Sequence, residues 1–194
     1  MKGTIRIIAG SMRGRAIPFD NKKFSDADVT PQKVKGALFS MLGEGLYGKF
    51  FVDLFSGSGQ MGMEALSRNC SSVVFCEKDK ERFTFIKKTV HAAGLAEKSV
   101  LLNMDYESAL KSISASGIKA HIVFIDPPYA KSGEEVHQYS RILENISNSG
   151  ILADDAIAAV QHFSGNILPE KISRFSRSSL KKYGTTSISF YRFN

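Results

Sequence analysis

The sequence predicts an α/β protein built on a mostly parallel sheet of about seven strands, with helices on both faces. Three observations lead to this class. From residue 50 onward, short apolar runs alternate with segments of helical periodicity, the pattern of parallel strands joined by crossover helices. The last two apolar runs are separated by only a short glycine-containing turn, so they pair antiparallel at one edge. The length of 194 residues suits one domain with at most a small appendage.

The N-terminal segment predicts a β-hairpin. The run TIRIIAGSMRGRAIPF contains two short apolar stretches around a glycine-containing turn. We therefore divide the chain into a hairpin extension, residues 1–30, and a main domain, residues 31–194.

A helix is predicted next, in VTPQKVKGALFSMLG. Thr30 is a good N-cap residue, and Pro31 suits the first helical position. Lys33 and Lys35 lie off the apolar stripe, so both are expected to face outward. The stripe recurs at helical spacing and consists of Val34, Ala37, Leu38, Met41 and Leu42.

Strands and helices then follow in turn through the main domain. The predicted strands are FFVDLF, SVVFCEK, SVLLNMD and HIVFID, followed by ILADDAIAAVQHF, KISRFSRSSLKKYG and TSISFYRF. The predicted helices are QMGMEALSRN, residues 79–94, YESALKSISAS and residues 133–148.

Basic charge is concentrated at the two ends of the chain. Residues 1–35 carry a net charge of +5 and residues 171–194 a net charge of +6, which leaves −4 for the middle of a chain of net charge +7. Because these basic residues interleave with structured segments, they favour a polyanion-binding face. The alternative is that both ends are simply solvated.

The number and spacing of cysteines and histidines, together with the hydropathy, argue against a disulfide scaffold, a metal protein and a membrane-spanning protein. Cys70 and Cys76 have no metal-ligand spacing and are too few for a disulfide scaffold, which favours a reducing compartment and a packing role. The four histidines show no ligand spacing either, so no metal is expected. No apolar run has the roughly 18 residues of a membrane span, so a cytoplasmic, soluble protein is expected.

A glycine-rich turn follows the first parallel strand. In VDLFSGSGQMG, Gly57, Gly59 and Gly62 form GxGxxG between a strand and a helix. Glycines at such a turn let the backbone approach a ligand closely. The motif alone is weak and would equally suit a dinucleotide.

Acidic residues end three consecutive strands. Asp53 would repel a pyrophosphate but could bind a cationic amino-acid group. Glu77 ends the second strand, where an acid commonly accepts bonds from ribose hydroxyls, and Asp105 ends the third. Together these acids suit an adenosine joined to a positively charged tail, as in S-adenosylmethionine.

The motifs VDLFSGSGQMGMEALSR, FCEKD and FIDPPY together resemble class I S-adenosylmethionine-dependent methyltransferases, which implies a Rossmann-like fold. The segments IRIIAGSMRGR, KVKGALFSML and KKYGTTSISFYRF are similar to the RsmD family over nearly the whole chain. Its members methylate the exocyclic N2 of one guanine in small-subunit (16S) ribosomal RNA. The chain departs from the family at Asp28 and Val29, where Arg-Pro is usual before Thr30, and at Gly36, where an acid is usual.

The roles expected of the residues that end the fourth predicted strand follow from the chemistry of the methyl acceptor, a guanine amino group. A guanine amino nitrogen is a poor nucleophile because its lone pair is delocalised into the ring. Asp126 and a backbone carbonyl near Pro127 could accept its two N–H bonds, and Tyr129 could stack on the extruded base. The reaction is then a direct displacement that depends on positioning and electrostatics. The alternative is a rigid Asp-Pro-Pro turn that only ends a strand.

The resemblance and the charge pattern together give three groups of expected site residues. The catalytic group is Asp126, Pro127, Pro128 and Tyr129. The cofactor-binding group is Asp53, Phe55, Ser56, Gly57, Gly59, Glu77, Lys78, Asp105 and Tyr106. The RNA-contacting group is Arg13, Arg15, Lys33, Lys35, Lys181 and Lys182.

Other functions remain open from the sequence. One is methylation of another amino group, on adenine N6 of DNA or RNA or on a protein glutamine amide, although glutamine enzymes usually carry Asn where Asp126 stands. Another is a non-catalytic RNA-binding module or a nicotinamide-dependent enzyme on the same fold. For the leading interpretation, the expected partner is ribosomal RNA or a partly assembled small subunit, bound by a monomer with no membrane contact.

Overall fold

The computed structural model describes residues 5–19, 24, 29–128 and 135–194. Two compact units divide the chain, Met1–Tyr106 and Glu107–Asn194. The separate hairpin domain ending at residue 30 stays a prediction. No helix in these described ranges is long and apolar enough to cross a bilayer.

The predicted N-terminal hairpin is confirmed, with short strands. Strand β1 (Ile5–Arg6) pairs antiparallel with β2 (Ala16–Ile17). The pairing is extended by hydrogen bonds from the Ile7 N–H to the Arg15 carbonyl at 3.0 Å and from the Gly14 N–H to the Ile7 carbonyl at 2.8 Å. Apolar side chains anchor the hairpin in the core, namely Ile5, Ile7, Ile17 and Phe19.

Helix α1 (Gln32–Leu42) begins one residue later than predicted. Pro31 is the N-cap rather than the first helical residue, because its ψ of 143° is extended, and it makes no side-chain cap bond. The predicted apolar stripe is wrong at Met41, which is 41% exposed, whereas Phe39 is fully buried.

Lys35 contradicts the prediction that it faces outward. Its side chain is fully buried, and its Nζ donates to the Arg6 carbonyl at 2.6 Å and lies 3.4 Å from Glu64 Oε2. The hairpin therefore meets α1 at a position that helical periodicity assigned to solvent. Buried in this way, Lys35 does not offer a surface charge to RNA, whereas Lys33 is exposed.

The first unit contains three parallel strands in the order β5-β4-β3. They are β3 (Phe50–Asp53), β4 (Ser72–Cys76) and β5 (Ser99–Leu102). Helix α2 (Gln60–Ser67) connects β3 to β4, and α3 (Lys80–Ala92) lies between β4 and β5. Short 3-10 turns cover Gly43–Leu46 and Ala96–Lys98. All three predicted strands and both helices are confirmed.

The second unit begins with a parallel pair and continues antiparallel. Its strands β6 (Ala120–Ile125) and β7 (Leu152–Phe163) are parallel, and β10 (Thr186–Phe193) lies antiparallel between β7 and β9 (Phe175–Tyr183). The antiparallel edge pair is therefore confirmed, and a two-residue strand β8 (Lys171–Ile172) adds to the predicted seven. The helices are α4 (Tyr106–Ala115), which starts at the last residue of the first unit, and α5 (Glu135–Asn148).

Both cysteines are free and buried, as the packing role predicts. Burial raises the pKa of Cys70 and of Cys76 to about 12, so each thiol stays protonated near neutral pH. They therefore behave as small apolar side chains within the first unit.

Candidate functional site

The loop of residues 54–59, which joins β3 to α2, is tied to the end of β4. The Ser56 N–H donates to the Cys76 carbonyl at 2.9 Å, and the Gly57 N–H donates to Glu77 Oε2 at 2.8 Å. Within the loop, the Gly59 N–H donates to the Ser56 carbonyl at 2.6 Å. These bonds hold the backbone of the loop in one conformation.

Two glycines of the motif have different roles. Gly57 has a φ of +51°, and a Cβ added there would meet no atom of the described residues, its two chain neighbours aside, within 4 Å. Gly62 lies in α2, and a Cβ there would run into the Phe75 ring of β4. Gly57 therefore faces space that none of the described residues fills and that a ligand could occupy, whereas Gly62 lets helix and strand pack closely.

Asp53 is a fully buried acid with an unused acceptor. Its Oδ2 accepts from the Gly62 N–H at 3.1 Å, while Oδ1 has no hydrogen-bond partner among the described residues. Burial raises the pKa of Asp53 to about 7; the Gly62 N–H opposes this rise and the Glu77 charge adds to it. A cationic donor beside Oδ1 would satisfy the oxygen and favour the charged carboxylate.

Glu77 is held by donors on both oxygens. Its Oε1 accepts from the Asp79 N–H at 2.9 Å and from Arg82 Nε at 3.2 Å, and Arg82 Nη2 lies 3.2 Å away. Its Oε2 accepts only the Gly57 N–H among the bonds described, and a carboxylate oxygen can take two. Glu77 therefore fixes the loop and retains acceptor capacity at Oε2.

The remaining cofactor candidates lie near the ends of β3, β4 and β5. The rings of Phe55 and Tyr106 are 5.6 Å apart and tilted by 43°, so the structure brings these two together. Lys78 and Asp105 are exposed. Asn103, which sequence reasoning missed, donates from Nδ2 to the Glu77 carbonyl at 2.8 Å and so ties β5 to β4.

Gln60, the first residue of α2, is a second residue that sequence reasoning missed. Its Nε2 donates to the Thr30 carbonyl at 3.3 Å, and its Oε1 is buried with no partner among the described residues. Asp53 and Gln60 therefore place an unused acceptor at each end of the loop. No sequence signal distinguishes this glutamine from an ordinary polar residue at a helix start.

Asp28, one of the positions where the chain departs from the RsmD pattern, lies outside the described residues.

In the second unit, Asp126 directly follows β6 and contacts the neighbouring strand. Its Oδ2 accepts from Gln161 Nε2 at 2.7 Å, and Gln161 is only 3% exposed. Pro127 is buried and Pro128 is exposed, while Tyr129 lies outside the described residues. Gln161 was missed, although a polar residue within the apolar run AIAAVQHF is a usable signal, because buried polar groups need partners.

Five of the six RNA candidates are exposed, and Lys35 is not. Arg15 also has a structural contact, because its Nη2 donates to the Ala92 carbonyl at the end of α3 at 2.7 Å. The exposed candidates are Arg13, Arg15, Lys33, Lys181 and Lys182.

Comparisons with known proteins agree with this architecture. The family model described as "Conserved hypothetical protein 95" matches residues 5–192. Ribosomal RNA small subunit methyltransferase D of Escherichia coli K12 is 27% identical over 190 residues, which cover 98% of this chain and 90% of that protein. YlbH of Bacillus subtilis, provisionally named an rRNA methyltransferase, is 27% identical over 97% of this chain and 98% of its own length.

A solved structure gives the same result for the fold. The Escherichia coli protein yhhF, provisionally named a methyltransferase, has a TM-score of 0.81 at 27% identity, with 99% of each chain covered. The Rossmann-like methyltransferase fold predicted from the motifs is therefore confirmed.

Proposed function

The chain belongs to the conserved hypothetical protein 95 family, the RsmD family that its motifs resemble, and on that premise we propose that it methylates small-subunit ribosomal RNA. We propose S-adenosylmethionine as the methyl donor and the exocyclic N2 amino group of a guanine as the acceptor. The observation that carries this proposal is the hydrogen bond of 2.7 Å between Gln161 and Asp126, which orients a carboxylate at the end of a parallel strand.

The glycine loop supplies features that fit the methyl donor. Asp53 has a buried oxygen without a partner among the described residues, which suits the ammonium of an amino-acid tail. Glu77 Oε2 can accept a ribose hydroxyl, and the space beside Gly57, which none of the described residues fills, admits a ligand close to the backbone. When bound, S-adenosylmethionine supplies an electrophilic methyl group on its sulfonium sulfur.

Asp126 acts on the acceptor nitrogen in this proposal. Its carboxylate accepts one amino N–H, and a backbone carbonyl near Pro127 accepts the other, which directs the nitrogen lone pair away from the ring. Methylation would leave the amino nitrogen positive, and in this proposal the Asp126 carboxylate would accept the proton that the nitrogen then gives up. Gln161 keeps Asp126 in one orientation, so little reorganisation is needed during the reaction.

Tyr129 keeps its predicted role as a stacking partner for the extruded base. Tyr129→Ala should lose most of the activity because the ring is removed. Tyr129→Phe should lose little because the ring remains. Comparable losses in both variants would assign the role to the hydroxyl instead.

Methyl transfer tests the proposal directly. Isotopically labelled S-adenosylmethionine is incubated with unmodified small-subunit RNA and with partly assembled particles, and the products are digested to nucleosides. We expect labelled N2-methylguanosine from at least one substrate, and a much lower yield with Asp126→Asn. Asp154→Asn, the same change at an exposed residue of β7, is the matched control. Labelled N6-methyladenosine would identify another amino acceptor, and no label in either substrate would refute the RNA methyltransferase.

A further inference from the structure

We propose that Phe163 and Tyr183 form a stacking platform for an unpaired nucleotide next to the target base. This inference rests on the proposed RNA methyltransferase function. It assigns substrate recognition to two residues that motif analysis did not select.

Strand register places Phe163 beside the Asp126 corner. Ile125 of β6 lies opposite Val160 of β7, so Asp126 is level with Gln161, to which it is hydrogen-bonded. Side chains alternate along a strand, so Phe163 projects from the same sheet face as Gln161. The two positions are about 7 Å apart along β7, which is close to the spacing of neighbouring nucleotides in an extended strand.

The same register places Tyr183 of β9 level with Phe163 of β7, with one strand, β10, between them. Thr186 of β10 lies opposite Phe163 on one side and opposite Tyr183 on the other. Directly opposed residues share a face, so the two aromatic side chains flank Thr186, about 10 Å apart across the sheet. The three residues form the last row of the strands at the edge where Asp126 lies.

The Phe163 ring is accessible and held in position. It is 49% exposed, and its backbone carbonyl accepts from the Asn166 N–H at 3.0 Å in the turn after β7. A Cβ added to Gly165 would lie 2.5 Å from Phe163 Cε1, so the ring lies against the glycine backbone. One exposed aromatic residue is ordinary on a protein surface. A supported ring two residues beyond the row of Asp126 and Gln161, on the same face of the sheet, is more specific.

Charge at this edge favours RNA as the occupant. Lys181 lies opposite Ile188, which also pairs with Gln161, so Lys181 shares the face of the two aromatic residues. Lys182 follows it, both lysines are exposed, and residues 171–194 contain no acid. Stacking surfaces flanked by cations bind single-stranded nucleic acid, since the rings hold bases and the cations neutralise phosphates.

Kinetics with matched variants test the platform on whichever RNA-containing substrate the wild-type protein methylates. Phe163→Ala should lower kcat/KM for RNA about 5- to 50-fold, the scale of losing one stacked base, and leave affinity for S-adenosylmethionine unchanged. Tyr47→Ala, a change at an aromatic residue that is 78% exposed and precedes β3, is the control and should change kcat/KM less than twofold.

Three further variants separate stacking from bulk. Phe163→Tyr keeps an aromatic face and should lose less than Phe163→Leu, which keeps only apolar volume. Gly165→Ala keeps the ring but displaces it, so it should fall between wild type and Phe163→Ala.

A fluorescent base locates the contact. With 2-aminopurine placed on either side of the mapped methylated nucleotide, wild-type protein should quench the fluorescence at one position. Phe163→Ala should quench it less, and Tyr47→Ala should match wild type.

The outcomes distinguish this inference from the proposed function. No methyl transfer by the wild-type protein to any RNA-containing substrate would overturn both. Methyl transfer with equal rates for Phe163→Ala and Tyr47→Ala would overturn the platform alone. Phe163→Ala could also methylate assembled particles more slowly than wild type and yet quench 2-aminopurine as strongly. That result would indicate that Phe163 contacts a protein of the particle, and it would also overturn the platform.

Discussion

Asp53 and Glu64 are both fully buried acids of the first unit, yet their hydrogen bonding differs sharply. Asp53 accepts one backbone N–H, and its second oxygen has no partner among the described residues. Both oxygens of Glu64 are engaged. The donors to Glu64 are the N–H groups of Ile8 at 2.9 Å and Ala9 at 3.1 Å, Arg68 Nε at 2.9 Å and, at ion-pair distance, Lys35 Nζ at 3.4 Å.

The contrast separates an acid that holds the fold together from one that we interpret as reserved for a ligand. Glu64 connects the hairpin, α1 and α2. Burial lowers the pKa of Lys35, and the Glu64 charge counteracts this fall, so the pair depends on both partners. A buried acceptor without a partner is uncommon in native proteins, and ligand binding is one explanation for the Asp53 oxygen that no described residue contacts by a hydrogen bond.

The largest effect is expected from Glu64→Gln. Lys35 would then be a buried cation without a counter-charge, and losing one partner of such a pair costs about 3–5 kcal/mol. Urea unfolding followed by circular dichroism should show this loss in the free energy of unfolding.

The control for Glu64→Gln is the double variant with Lys35→Met, which removes both charges. It should be more stable than Glu64→Gln alone. If Glu64→Gln is as stable as wild type, Glu64 does not hold the fold together and the contrast with Asp53 fails.

Asp126→Asn should give the next largest effect. Asp126 extends the comparison to the second unit, where a buried glutamine, Gln161, donates to its Oδ2 at 2.7 Å. Loss of its charge should slow methyl transfer by about 10²-fold, the scale for one well-placed electrostatic group, with S-adenosylmethionine affinity and stability nearly unchanged. Single-turnover rates provide the measurement, with Asp154→Asn as control. A rate near that of wild type would leave Asp126 as part of a structural turn.

Glu77→Ala sharpens the comparison of Asp53 with Glu64, because Glu77 both holds the backbone and can accept a bond from a ligand. It fixes the Gly57 backbone as Glu64 fixes the hairpin, and it retains acceptor capacity for a ligand. Its removal should weaken S-adenosylmethionine binding by about 1.5–3 kcal/mol, typical of a hydrogen bond to a charged group. Calorimetry measures the affinity, and Glu97→Ala, at an exposed residue of the same unit, is the control. Unchanged affinity in a folded variant would restrict Glu77 to a structural role.

The smallest effect concerns the hairpin that Glu64 holds. Arg13→Glu should weaken RNA binding and lower the slope of log K against log salt by about 0.7–0.9 for each phosphate that the protein no longer neutralises. Arg13 is a cleaner test than Arg15, which also contacts the end of α3. Binding titrations at several salt concentrations, with Lys88→Glu on α3 as control, provide the measurement. Equal slopes for both variants would remove the hairpin from the RNA surface.

The order and type of the main elements were predictable because each has a local signal. Apolar runs bounded by glycine or proline gave the strands, and periodicity gave the helices. The prediction that Lys35 faces outward was wrong because no local signal marks its burial. Lysine is rarely buried without a partner, and here the partner, Glu64, is distant in sequence and lies on another helix. No pattern along α1 contains that information.

The sequence predicted the glycine loop and the acids at strand ends, but it did not predict the side chains that hold those acids in position. The glycine loop and Asp126 were visible because parallel strands present their carboxyl ends to ligands. Arg82 beside Glu77 and Gln161 beside Asp126 were missed, because helix orientation and strand register decide those contacts. That Asp53 Oδ1 has no partner among the described residues depends on the whole environment of the side chain.

Proton release on cofactor binding tests the central claim about Asp53 most directly. With a pKa of about 7, Asp53 is about half protonated at pH 7, and a cationic ligand favours the carboxylate, so binding should expel that proton. Affinity for S-adenosylmethionine should therefore rise between pH 6 and 7.5. Calorimetry at pH 7 in buffers of different ionisation enthalpy should show more protons released on binding by wild type than by Asp53→Asn. Equal proton release by the two proteins, with S-adenosylmethionine bound to both, would contradict the assignment of Asp53 as the acid that meets the ligand.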